Sequence, residues 1–144
     1  MKGYTGQKVM SGTELELWIN DKYMAQVTEF KSEITLTKEK VNMVKHRGVS
    51  YKYTGWEGKG SCKFNHVSSY FVKLLADDMK NGKTTVCTIV GKVSDPDVSG
   101  IERVALSGVV FDKLTLMDAS AKKLMEDAQS FSFDNFEVLD TVDD

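Results

Sequence analysis

Glu29-Phe30-Lys31-Ser32-Glu33-Ile34-Thr35-Leu36-Thr37 alternates without interruption, with Phe30, Ser32, Ile34 and Leu36 on one side. Glu29, Lys31, Glu33, Thr35 and Thr37 fall on the other. Successive side chains of an extended chain point to opposite faces, so this period of two specifies a strand with one face toward a core and one toward water. The alternation is already under way near Tyr23, which makes the strand longer than the usual five or six residues.

The same period recurs on both sides. Leu15, Leu17 and Ile19 alternate with Glu14, Glu16 and Trp18, and Asn20-Asp21 supplies a hairpin turn. Tyr51 to Phe64 resumes the pattern with Gly55, Gly58 and Gly60 inside it, and glycines in a strand mark a bulge or a close backbone approach. Thr84 to Val93 and Ile101 to Met117 read as strands around a turn at Asp95-Pro96-Asp97 to Gly100. Phe131, Phe133, Phe136 and Val138 form a last strand with a register change near Asn135.

One helix is expected at about residues 68–81. Ser68 or Ser69 would cap it, Val67 would staple it, and Asn81-Gly82 would end it. Tyr70, Phe71, Leu74, Leu75 and Met79 form its apolar side. Asp118-Ala119-Ser120 is a break, residues 121–128 read as a short second helix, and the basic stretch Lys38 to Arg47 reads as a loop. Strands outnumber helices and never alternate with them, so the fold class is mainly β: an antiparallel two-sheet sandwich or barrel with one flanking helix.

The 144 residues suit a single domain, 1–144, with residues 1–12 as a flexible arm and 139–144 as an acidic tail. A formal net charge of −2 excludes a strongly basic nucleic-acid binder. Charge is nevertheless split along the chain. Lys38, Lys40, Lys45, Arg47 and Lys52 face only Glu39, whereas the stretch after Phe111 is rich in Asp and Glu. Such a split can guide contacts between identical copies. Cys62 and Cys87 form no CxxC and have no clustered histidine, so they read as buried free thiols. Residues 1–10 lack the apolar stretch of a signal peptide, which points to synthesis in the cytoplasm and release only by lysis, within a particle.

Motifs that suggest chemistry fail at specific positions. Gly82-Lys83-Thr84 resembles the end of a phosphate-binding loop, but Asp77 stands where a glycine is required and the helix precedes the motif. Asp95 to Gly100 imitates half of a calcium loop, but the twelfth position is Leu106. Gly55, Gly58 and Gly60 are in the wrong order for a dinucleotide fingerprint. His46 and His66 show no partner, and Asp77-Asp78 lies on the polar helix face. No catalytic, cofactor or metal residues are named.

Taken in order, these elements resemble the tail-tube protein family of PBSX-type defective prophages (XkdM-like). The resemblance rests on Ser11-Gly12, Ile19-Asn20-Asp21, Met24-Ala25, the glycine-interrupted strand Thr54 to Phe64, and Val67-Ser68-Ser69-Tyr70-Phe71. It continues through Gly100 to Val104, Gly108 to Asp112 and Phe131 to Val138, and so covers nearly the whole chain. It implies a non-enzymatic subunit of the inner tube of a contractile phage tail or phage-tail-like bacteriocin. Six copies would form a ring, and rings would stack inside a sheath. Implied partners are other copies of the chain and the sheath, baseplate and tail terminator proteins; DNA enters only as cargo in the lumen, and no cofactor or membrane is involved. On strand length and polarity, Glu29, Lys31, Glu33 and Thr35 are the lumen-facing candidates. Lys38, Lys40, Val41, Met43, Val44, Lys45 and Arg47 are the inter-subunit candidates, because apolar residues inside a charged segment have little reason to face water alone. The alternative is a small-ligand-binding β-barrel, which predicts a monomer with a concave apolar pocket.

Overall fold

The computed structural model describes residues 5–143. Eight strands follow in chain order: β1 (Leu15–Ile19), β2 (Lys22–Tyr23), β3 (Val27–Val41), β4 (Ser50–Asn65), β5 (Cys87–Ser94), β6 (Ile101–Phe111), β7 (Glu126–Phe133) and β8 (Asn135–Asp140). The helix α1 (Tyr70–Lys80) lies between β4 and β5. The strands form one antiparallel path, β2-β1-β5-β6-β7-β4-β3. β8 prolongs β7 along the same edge of β6, with β7 opposite Val110 and Phe111 and β8 opposite Arg103 to Ser107. The fold is therefore mainly β and antiparallel with one α-helix among the described residues, besides single 3-10 turns at Gly6–Lys8 and Gly12–Glu14. The strands make one continuous hydrogen-bonded sheet, an arrangement compatible with a sandwich or barrel.

The ends of the path fold toward each other. Gly91 of β5 faces Phe30 of β3, and a Cβ built at Gly91 would come within 2.8 Å of the Phe30 ring. Leu17, Ile19, Ile89, Leu106 and Val109 from one half meet Cys62, Phe64, Phe131 and Phe133 from the other, and α1 closes the core with Phe71 and Leu75. Phe71 packs against Phe64 and Phe111 at centroid separations of 5.3 and 5.5 Å. The glycines of β4 have the close-approach role expected of them at two positions: the rings of Phe133 and Phe131 occupy the space where side chains at Gly58 and Gly60 would stand.

Three bulges decide which residues face inward. Thr28 is the extra residue of β3, so Val27 and Phe30 both pair with core positions, Phe64 and Cys62. An extra residue in β6 near Gly108 lets Leu106, Val109 and Phe111 all point into the core. Gly108 has φ +65°, which a residue with a Cβ adopts only under strain, and a Cβ there would also collide with the Asp134 carboxylate. Asp134 is the kink between β7 and β8, so the register change expected near Asn135 belongs to this joint. The third bulge, at Thr54, lies in β4 between the residues that pair with Thr37 and Lys38.

Several expected boundaries are corrected. Lys38 to Val41 is the end of β3, not loop, because pairing with Ser50 to Tyr53 satisfies its backbone while its charged side chains stay in water. β6 stops at Phe111, beyond its pairing with β5 at Val109. Residues 121–128 are not a helix: the chain turns near Lys122 (φ +63°), and from Glu126 it is β7, which supplies the second partner of β4. A piece that short is a marginal helix on its own, whereas the edge of β4 needs pairing. Ser69 occupies the cap position of α1 without a side-chain cap bond, and Val67 is exposed rather than stapled. Asn20 and Asp21 (φ 49° and 66°) make the tight hairpin turn as expected.

Candidate assembly surfaces

Glu29, Lys31, Glu33 and Thr35 share one outward face. The register sets them beside Lys63, Ser61, Lys59 and Glu57 of β4, and those in turn beside Ala128, Ser130 and Ser132 of β7. The face thus carries four acids (Glu29, Glu33, Glu57 and, beside Ser130, Asp112) and three lysines (Lys31, Lys59, Lys63) on a floor of small residues. Its ion pairs are Lys31–Glu33 and Lys59–Glu57 at 3.5 Å and Lys63–Glu29 at 3.7 Å, all between exposed groups. Exposed pairs of this kind contribute little to stability. The resulting surface is polar, ordered by its strands and slightly acidic.

The inter-subunit candidates lie together at the far end of the same hairpin. β4 has β7 as a neighbour only from Gly58 onward, so Ser50 to Glu57 pairs with β3 alone. This two-stranded ribbon projects beyond the sheet and ends in the tip, residues 42–49. Lys38, Lys40 and Val41 are in the ribbon; Met43, Val44, Lys45 and Arg47 are in the tip, with Val44 91% exposed.

The alternation of the sequence hid part of this surface. Trp56, Tyr53 and Tyr51 have mixed parity, so a regular strand would put Trp56 on one side and both tyrosines on the other. Thr54 is bulged out, its Oγ1 donating to the Thr37 carbonyl at 3.4 Å, and β4 changes parity there. Leu36, Lys38 and Lys40 consequently face Trp56, Tyr53 and Tyr51. Lys38 Nζ sits 4.8 Å above the Tyr51 ring, and Trp56 meets Phe136 of β8 edge-on at 5.5 Å. The apolar inner face of the sheet thereby continues onto the ribbon, where Trp56, Tyr53 and Tyr51 are exposed. Thr54 beside Gly55 was the available signal, since a residue break there is compatible with a bulge.

The titratable groups offer no reacting pair. Cys62 is buried, and burial pushes its thiol up to about 12; Cys87 is buried and is also raised, first by burial. Neither thiol is a nucleophile under ordinary conditions. Asp95 is held below the usual carboxylate range by N–H donation from Asp97 and Ser11, which fixes the turn before β6. His66 does have a partner, contrary to the sequence reading: its Nδ1 lies 2.9 and 3.0 Å from the Asp127 carboxylate oxygens. Among the described residues no cluster of three metal-ligating side chains occurs, and no helix is long and apolar enough to cross a membrane.

The family model described as phage tail tube protein matches residues 3–140. The phage-like element PBSX protein XkdM of Bacillus subtilis (strain 168) is 32% identical over 141 residues, covering 96% of this chain and 95% of that protein. In structure, the chain resembles a protein of the anti-feeding prophage tube-terminating cap with a TM-score of 0.72 at 8% identity, covering 97% of each chain. It also resembles a chain of the sheath–tube complex of an extracellular contractile injection system in its extended state, with a TM-score of 0.66 at 9% identity and coverage of 93% and 92%. At such identities the two structures speak to the fold alone.

Proposed function

The chain belongs to the phage tail tube protein family, and we propose that six copies close into a ring and that rings stack into the inner tube of a contractile tail. It is a structural component of a phage-type tail and not an enzyme. The proposal takes residues 1–144 as one tail-tube domain with residues 1–12 as an arm; of the acidic tail expected at 139–144, Leu139 and Asp140 belong to β8, where Asp140 pairs with Arg103 at 2.7 Å, and residues 1–4 and 144 lie outside the described residues. Synthesis in the cytoplasm and release by lysis belong to the same reading, as do contacts with sheath, baseplate and terminator.

The observation that carries the proposal is the outer edge of β3, which has no strand partner among the described residues. This fifteen-residue strand ends the sheet path, and β2 and β1 end it on the other side. A long open edge of N–H and C=O groups is an aggregation hazard unless another chain covers it. Edge-to-edge pairing of unlike ends is a heterologous contact, which closes into a ring when the rotation allows. In that ring the outward face bearing Glu29, Lys31, Glu33 and Thr35 lines the lumen. Its four acids against three lysines leave no cationic track on which a polyanion would be held. Lys38, Lys40, Val41, Met43, Val44, Lys45 and Arg47, on the projecting ribbon and its tip, then meet the next ring.

Electron microscopy of the concentrated purified chain should show six-fold rings and stacked tubes. Replacing residues 42–49 by an Asn-Gly turn should leave the sheet folded and stop stacking. A wild-type chain that stays monomeric at high concentration sinks the proposal.

A further inference from the structure

The two ends of the β3–β4 hairpin differ in chemistry. β4 runs sixteen residues from the tip to Asn65, about 50 Å at the usual rise of a strand. The tip end is basic, with Lys38, Lys40, Lys45, Arg47 and Lys52 exposed. At the other end a cleft opens between the start of α1, the start of β7 and the segment around Leu116, and Asp118, Glu126 and Asp127 line it together with His66. The His66 imidazole bonds to Asp127, and Asp118 and Glu126 have no ion-pair partner among the described residues.

Three further features of this cleft call for an occupant. Gln129 lines it, is 3% exposed, and its Oε1 has no hydrogen-bond partner among the described residues. A buried carbonyl without a donor is costly, so an incoming N–H is favoured there. Leu116 and Met117 at the rim are 75% and 82% exposed, in a segment that belongs to no strand or helix. Ser69 makes no cap bond, which leaves the first-turn N–H groups of α1 available to carbonyl acceptors.

We propose that this cleft receives the tip, residues 42–49, of a second copy. A basic side chain of that tip, Lys45 or Arg47, donates to Gln129 Oε1 and to the free carboxylates. Met43 and Val44 cover Leu116 and Met117, and carbonyls of the turn accept from the start of α1. The tip of one copy is at the opposite end of its own β4 and cannot fill its own cleft. The contact therefore joins unlike ends of successive copies and repeats without closing, as stacking requires. The inference rests on the tube reading above and gives the stacking contact an acceptor.

Two measurements test it. Val44→Cys combined with Leu116→Cys, in tubes under mild oxidation, should give a covalent ladder beyond the dimer on a non-reducing gel, and neither single variant should. Met117→Cys replaces Leu116→Cys if that variant folds poorly; the native thiols are buried and do not compete. Separately, K45E with R47E should lower tube yield at least tenfold, and adding D118K with E126K should restore it. Tubes that form without the ladder, or that tolerate the reversals, overturn the acceptor site while leaving the tube reading standing. A ladder that appears only when sheath protein is added assigns the cleft to that partner and overturns the proposal. Failure of the wild-type chain to form tubes removes the tube reading itself.

Discussion

The root and the ribbon of the β3–β4 hairpin are written in the same alternating code, yet they end in different environments. At the root, Phe30 and Ile34 pack against the core, while Cys62 and Phe64 are fully enclosed. In the ribbon, Leu36, Trp56, Tyr53 and Tyr51 occupy the same inward face and remain in water. The strand pattern is not the cause of the difference. The root has a second layer above it, from β5, β6 and α1, whereas in the ribbon Trp56 meets Phe133 and Phe136 and the tyrosines beyond it are exposed. Alternation shows which side chains share a face; burial depends on whether something covers that face, and in the tube proposed above a second copy would cover the ribbon.

The largest effect is expected at the root. Phe131 is 1% exposed, lies over Gly60 and touches Phe30, Phe111 and Phe133. Phe131→Ala should cost about 3–5 kcal/mol of unfolding free energy, read by denaturant titration of the unassembled chain, because the surrounding rings cannot collapse into the space. A loss below about 1 kcal/mol would mean that the root is no better packed than the ribbon.

The next effect uses pH. Cys62 has its thiol raised by burial from 9.0 to about 12. A raised folded pKa means that the native chain holds its proton when the unfolded chain has lost it. The stability from this group is therefore complete below pH 9 and lost as the pH rises from 9 toward 12, at up to about 1.4 kcal/mol per unit. Cys87 works in the same direction. Unfolding measured at pH 8, 9 and 10 should show the decline, and Cys62→Ala should flatten part of it. At neutral pH a thiol reagent should modify an introduced Tyr51→Cys at once and Cys62 only upon unfolding.

Most of the root was legible in the sequence, and the ribbon was not, for a physical reason. Phe30, Ile34, Cys62 and Phe64 follow one parity, and the core accepts that parity directly. Tyr51 and Tyr53 join the face of Trp56 only because Thr54 is bulged out, and a local bulge inverts every later assignment on its strand. The outward polar set Glu29, Lys31, Glu33 and Thr35 was legible as a face, since alternation alone defines it. The cleft at the opposite end was not, because Gln129, His66 and Leu116 meet there through contacts between distant segments. The supposed helix at 121–128 failed for a related reason: the unpaired edge of β4 is invisible until the sheet is assembled.

Tyr53 is the converse of Phe131. It is 66% exposed in the free chain, so Tyr53→Ala should change unfolding free energy by no more than about 0.5 kcal/mol. It should nevertheless reduce tube formation severalfold, as the loss of an aromatic contact covered only upon assembly. Equal effects on folding and assembly would show that the ribbon is covered within one chain.

The smallest expected effect belongs to the outward face of the root. Glu33 pairs with Lys31 at 3.5 Å, and both side chains are more than half exposed. Water already solvates these charges, and holding two long side chains together costs entropy, so the pair gains little from its own attraction. Glu33→Gln should therefore alter stability by less than about 0.5 kcal/mol and leave tube yield intact. Its consequence lies elsewhere. With Glu29, Glu33, Glu57 and Asp112 set against three lysines, removing one acid brings each subunit's face from a slight negative charge to neutrality, a change that a ring of copies would multiply. Retention of a DNA fragment by preformed tubes at low salt should rise and should vanish as salt is added. If this face lined the outside instead of the lumen, end-blocked tubes would retain the DNA equally well. Comparing open with end-blocked tubes thus separates an inner wall from an outer one.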